Sequence, residues 1–168
     1  MHSYVELALR AIREQVKNKK RLQPPDPLPE EMKDRAGAFV CLKIKNRLRG
    51  CIGTIEPSQD NLADEIISNA ISASTHDSRF DPLAPDEIDD IEVTVDVLSE
   101  PEPVGSLSDL DPKIYGLIVK SGLKRGLLLP DIEGVDDAEQ QLSICRRKGG
   151  IGDDEEVSLQ RFTVTRYR

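Results

Sequence analysis

The chain has 168 residues and a formal charge of −8. That length supports one well-buried core with room for a second, smaller lobe, and the acidity disfavours general nucleic-acid binding, which needs clustered Lys and Arg. Three cysteines without a Cys-x-x-Cys and only two histidines argue against a disulfide framework, a zinc knuckle or a His-rich metal site, and no apolar run is long enough to span a bilayer.

Ser3 followed by Glu6 reads as a capping box, and Val5, Ala8, Leu9, Ile12 and Val16 recur at helical spacing. The first helix is expected over Tyr4 to Lys19. Pro24 to Pro29 excludes helix and reads as an extended linker. Phe39 to Lys45 alternates as a strand, with Val40, Leu42 and Ile44 on one face and Phe39, Cys41, Lys43 and Lys45 on the other. A tight turn at Asn46-Arg47 leads into a second strand, Leu48 to Ile55. There Leu48 and Ile52 fall together, opposite Arg49 and Cys51.

Asp60 or Asn61 can cap a helix burying Leu62, Ile66, Ala70 and Ala73 and ending near His76. Ile91, Val93, Val95 and Val97 alternate as a half-buried strand. Gly116 to Lys120 and Leu123 to Leu129 form a hairpin about Ser121-Gly122. Asp137 and Gln140 open a further helix carrying Ala138, Leu142 and Cys145 on one face. Its last turn is basic, and Gly149 suits its left-handed C′ position. Val157 to Tyr167 reads as a final strand with room for a bulge. No internal repeat is present.

The chemistry concentrates in Leu48–Thr54, L-R-G-C-I-G-T. Thiolate is the reactive form of cysteine, and guanidinium stabilises it. Strand parity aims Arg49 and Cys51 toward Lys43 and Lys45, an electropositive setting. Gly50 and Gly53 permit close approach of a ligand, and their N–H groups suit an anion or oxyanion. Spacing alone leaves this balanced against the alternative that Cys51 is a small buried hydrophobe and the glycines mark a bulge. Cys41 and Cys145 read as structural.

His76 beside Cys51 would complete a conventional activated nucleophile, but a solvated helix-end role is favoured. Asp77 is read as pairing with an arginine to hold a helix end to the next segment. Arg79 is balanced between that role and a binding site, and Phe80 is expected to anchor the core. Arg147-Lys148-Gly149-Gly150 is favoured as ordinary capping over phosphate binding. Asp153–Glu156 reads as a solvated loop.

These residues resemble the AMMECR family, named for a chromosomal deletion region. The likeness rests on Leu48–Thr54, followed in order by Asp77-Ser78-Arg79-Phe80, Val97-Leu98-Ser99, Leu127-Leu128-Leu129-Pro130, Arg147-Lys148-Gly149-Gly150 and Thr165-Arg166-Tyr167-Arg168. The resemblance implies an α+β fold with a mostly antiparallel sheet flanked by helices. It also implies two lobes, a cleft between them, and the smaller lobe inserted in the middle. It implies kinship with the A component of the AmmeMemoRadiSam grouping, beside radical-SAM and Memo-type partners. The site it implies is Arg49, Gly50, Cys51, Ile52, Gly53 and Thr54. Many relatives carry His-Gly where this chain has Tyr115-Gly116, so a mechanism needing that histidine is in doubt. The chain also lacks the three-cysteine cluster of a radical-SAM enzyme.

The sequence thus predicts a cytoplasmic protein without metal or cofactor. Cys51 would act as nucleophile in group transfer with Arg49 lowering its pKa, and Lys43, Lys45 and Arg79 would assist binding. The alternative is a non-catalytic module holding an anionic small molecule or an acidic protein segment. A nucleic-acid role ranks last.

Overall fold

The computed structural model describes residues 1–168 and is a mixed α+β protein with two antiparallel sheets. The predicted α+β class, with antiparallel sheet and packed helices, is borne out. The chain divides into two compact units, Met1–Leu98 with Thr165–Arg168, and Ser99–Val164.

In the first unit, α1 (Ser3–Asn18) and α2 (Leu62–Thr75) pack together on a four-stranded sheet. Its strands are β1 (Ala38–Ile44), β2 (Arg47–Gly53), β3 (Ile91–Leu98) and β8 (Val164–Tyr167), in the order β2-β1-β3-β8. Period-two alternation turns Val40, Leu42, Val93 and Val95 toward the helices, where they meet Ile12, Ile66, Ala70 and Ala73. Each large aliphatic side chain buried there contributes about 1.5–3 kcal/mol. Asn61 caps α2, accepting from the Asp64 N–H, and His76 ends it.

Three local expectations shift. The Ser3–Glu6 box does not form: His2 Nδ1 accepts from the Tyr4 N–H, and Ser3 Oγ turns to Glu31. The segment 24–29 is no free spacer, since Leu22 and Leu28 pack against the core and Met32 is buried in it. The β1–β2 turn falls one residue earlier, at Lys45-Asn46, both left-handed at φ 50° and 63°. That is the twist a two-residue hairpin needs, and asparagine tolerates it better than arginine.

The second unit carries β4 (Glu102–Val104), β5 (Gly116–Ser121), β6 (Lys124–Leu128) and β7 (Ser158–Phe162), in the order β4-β7-β5-β6, with α3 (Ala138–Gly149) packed on β5 and β6. Leu117, Val119, Cys145 and Ile151 form its core. The hairpin turn is Gly122-Leu123, not Ser121-Gly122, and Gly122 supplies the left-handed φ of 59°. Asp137 caps α3 as expected. The left-handed residue closing it is Gly150 at φ 66°, because Gly149 still lies in the helix against Arg125 and Gly126. The single final strand resolves into β7 and β8, which join different sheets, so the uneven alternation marks a change of sheet rather than a bulge.

Candidate functional site

The hairpin β1–β2 carries the L-R-G-C-I-G-T segment at an edge of the first sheet. From the Lys45-Asn46 turn the ladder pairs Ile44 with Arg47 and Lys43 with Leu48, then slips so that Leu42 meets Gly50 and Cys41 meets Cys51. Arg49 is the extra residue of this β-bulge. The slip breaks the simple parity of β2. Gly50 and Ile52 face the core, while Leu48 moves to the open face beside Lys43 and is 41% exposed.

Cys51 sits where its backbone turns outward. Its N–H donates to Asp77 Oδ2 at 2.9 Å, and its carbonyl accepts from Arg79 Nη2 at 3.2 Å. Both groups point away from β1, so Cys41 and Cys51 form a non-hydrogen-bonded pair, the pair type whose side chains approach closest. Their Cα atoms are 4.1 Å apart and their sulfurs are joined in a disulfide. The expectation that the cysteines form no disulfide is therefore corrected. The thiolate expected at Cys51 is absent from this state, because its sulfur is bonded to Cys41. The remaining free cysteine, Cys145, is buried, and burial pushes its thiol up to about 12.

Arg49 does not serve the sulfur either. Its guanidinium grips Glu87 with Nε–Oε1 and Nη2–Oε2 both at 2.9 Å, and Nη1 donates to the Asp81 carbonyl at 2.8 Å. This fork-to-carboxylate geometry raises the Arg49 pKa and lowers that of Glu87. The bulge is the reason: as its extra residue, Arg49 opposes no residue of β1 and stands outside the alternation of β2.

Asp77 and Arg79 brace the signature. Arg79 Nε donates to Asp77 Oδ1 at 3.0 Å and Nη2 to Oδ2 at 2.8 Å. The Arg79 hydrogen bond, followed by the Cys51 and Arg79 N–H groups, holds the buried Asp77 carboxyl well below the usual carboxylate range. Phe80 is not a core anchor. It is half-buried, with the Arg79 guanidinium 5.4 Å from its ring centre. His76 hydrogen-bonds Thr75 Oγ1 at 2.8 Å at the end of α2.

The two glycines are explained by packing. A Cβ on Gly50 would collide with the Ala73 carbonyl of α2, and one on Gly53 would enter the Phe39 ring. The space each leaves is occupied by the protein itself, not by an open ligand approach. Thr54 donates to buried Glu65, which also accepts from the Ser58 and Gln59 N–H groups at 2.9 and 2.8 Å. Asn69 Nδ2 reaches the Ala38 carbonyl at 2.8 Å and Thr54 Oγ1 at 3.3 Å.

A pocket of about 380 Å³ opens on the outer sheet face, lined by Cys41, Lys43, Glu92, Thr94, Arg166 and Arg168 among others. Arg166 is anchored to Asp96 by bonds of 2.8 and 2.7 Å. Arg168 is fixed through its carbonyl, which accepts from the His2 N–H at 3.1 Å, and Tyr167 packs against the His2 and Tyr4 rings. Lys45 lies apart from Lys43, in a hollow with Arg47 and Arg49. The sequence marked Thr165–Arg168 as a segment that could cover the signature but assigned neither Arg166 nor Arg168 to a site. Their polar strand-end pattern was visible, but which strand β8 joins was not.

No cluster of His, Cys, Asp or Glu able to hold a metal ion is present, and no helix is long and apolar enough to cross a membrane.

The fold and the braced L-R-G-C-I-G-T hairpin define a two-sheet α+β protein of the AMMECR type. The profile of the AMMECR1 family matches residues 5–168, and the chain belongs to that family. A protein of Thermotoga maritima is 56% identical, covering 99% of this chain and 98% of that one. Protein CA_C1420 of Clostridium acetobutylicum is 46% identical, but this chain spans only 36% of its length. The crystal structure of uncharacterized protein PH0010 from Pyrococcus horikoshii shares the fold at a TM-score of 0.84 and 34% identity, covering 97% of this chain and 88% of that one.

Proposed function

We propose that this AMMECR1 protein binds an anionic small molecule in the pocket beside Cys41. The observation that carries this is the placing of Lys43 and Arg168 around one concavity beside Arg166, whose charge is matched by Asp96, with Glu92 as the acid among its lining residues, in a chain whose net charge is −8. Positive potential focused in a hollow of an acidic surface concentrates anions there. A pocket of about 380 Å³ lies within the range of small-ligand sites. Carboxylates and phosphates fit the guanidinium forks.

The rival reading makes Cys51 a nucleophile for group transfer beside radical-SAM and Memo-type partners. It requires the reduced chain, and Arg49, held by Glu87, gives the thiol no help. The two readings separate on substitution. Calorimetric titration with citrate and inorganic phosphate should show binding that survives Cys51→Ser and falls by about tenfold for each of Lys43→Ala and Arg168→Ala, the loss of about 1.4 kcal/mol per charged contact. Binding indifferent to both lysine and arginine removal would end the proposal.

A further inference from the structure

Cys51, Cys41 and Thr94 lie in one row across the sheet, on β2, β1 and β3. The basic pocket runs across the outer face from Asn46 and Leu48 past Cys41, and its Thr94, Arg166 and Arg168 wall, on and beyond β3, lies on the side of Cys41 away from Cys51. Both cysteines are half-buried rather than sealed in the core. A thiolate displaces a disulfide sulfur along the axis of the bond, entering opposite the leaving group. A thiolate held in this pocket therefore meets Cys41 from the required side, with Cys51 as the leaving sulfur.

We infer that the Cys41–Cys51 disulfide is a thiol–disulfide exchange site whose substrates are low-molecular-weight thiols carrying negative charge. This rests on the reading of the pocket as an anion site. The substrate thiolate forms a bond to Cys41 Sγ as the Cys41–Cys51 bond breaks, and the electron pair leaves on Cys51 as thiolate. A second substrate thiolate attacks the substrate sulfur of the mixed disulfide. That step releases the oxidised substrate disulfide and leaves Cys41 reduced. Two substrate thiols are oxidised and one protein disulfide is reduced, and the same substrate disulfide reverses both steps. Lys43 and Arg168 hold the substrate's carboxylates. The brace of Asp77 and Arg79 on the Cys51 peptide keeps the two strands in register, so the disulfide can re-form.

The test compares glutathione with its diethyl ester, which has the same thiol and no free carboxylate. The oxidised full chain is mixed with each, quenched with an alkylating agent and mapped by mass spectrometry. The expected product carries glutathione on Cys41 and the alkyl group on Cys51, with buried Cys145 unmodified. Glutathione should react at least about tenfold faster than the ester, the low end of electrostatic steering, and Lys43→Ala with Arg168→Ala should abolish the difference. No adduct, an adduct on Cys51, or equal rates for the two thiols would overturn the inference. Citrate titration of the Cys41→Ser, Cys51→Ser double variant keeps the two ideas apart. Binding there with failed exchange removes only the exchange site, whereas loss of both removes the anion pocket as well.

Discussion

Asp77 shows how a single buried carboxylate organises the signature. It accepts two bonds from the Arg79 guanidinium, one from the Arg79 N–H and one from the Cys51 N–H, and it is almost wholly shielded from water. Asp77→Asn keeps the shape but loses the charge. It should cost about 1.5–3 kcal/mol at neutral pH, the range for hydrogen bonds to a charged group. Because folding depresses this carboxyl's pKa, its contribution is complete above the unfolded value of about 3.9 and fades as pH falls below it. Urea unfolding of the parent and the variant between pH 7 and pH 3 should show their stability curves converging in acid. A constant gap would assign the loss to packing. Glu65 has a comparable role, collecting the Thr54 and Ser58 hydroxyls and two loop N–H groups. The residue types at Asp77, Arg79 and Thr54 were legible as polar and close to the signature. Which atoms they satisfy was not, because their partners lie on other elements.

At the scale of the element, the bulge at Arg49 decides what the hairpin does. An unbulged ladder from the Lys45-Asn46 turn would set Cys41 opposite Gly50 and Arg49 opposite Leu42, on the core face. The observed slip puts the two sulfurs together and sends the guanidinium to Glu87. Gly50 makes the slip possible, since β2 runs so close to α2 there that no side chain fits. Gly50→Ala should destabilise the chain by at least the 1–3 kcal/mol typical of overpacking, read as a lower midpoint in denaturant, because the obstructing atom is backbone and does not rotate away. It should also loosen the register, read as faster reduction of the Cys41–Cys51 disulfide. An unchanged midpoint would show that α2 withdraws freely.

Across the whole molecule, the two units hold very unequal cores. The first gathers twenty-one buried residues into one cluster and the second five. Apolar burial sets local opening free energy, so amide exchange should be slowest in β1, β3, α1 and α2 and faster in β4, β5, β6, β7 and α3. Uniform protection across both units would contradict this.

The sequence by itself determined most of the elements and, in α1, α2, β1 and β3, the face each one buries. Period 3.6 in α1 and α2 and period 2 in β1 and β3 are local signals, and the apolar residues they name are the ones found in the core. It also marked Leu48–Thr54 as the segment of interest. The tertiary structure alone decided the chemistry of that segment. A one-residue slip changes which side chains share a face, and no local pattern encodes it. The slip depends on how closely α2 approaches Gly50, and the basic pocket depends on β8 returning from the end of the chain to lie beside β3. Both are contacts between residues far apart in sequence, set by packing rather than by spacing.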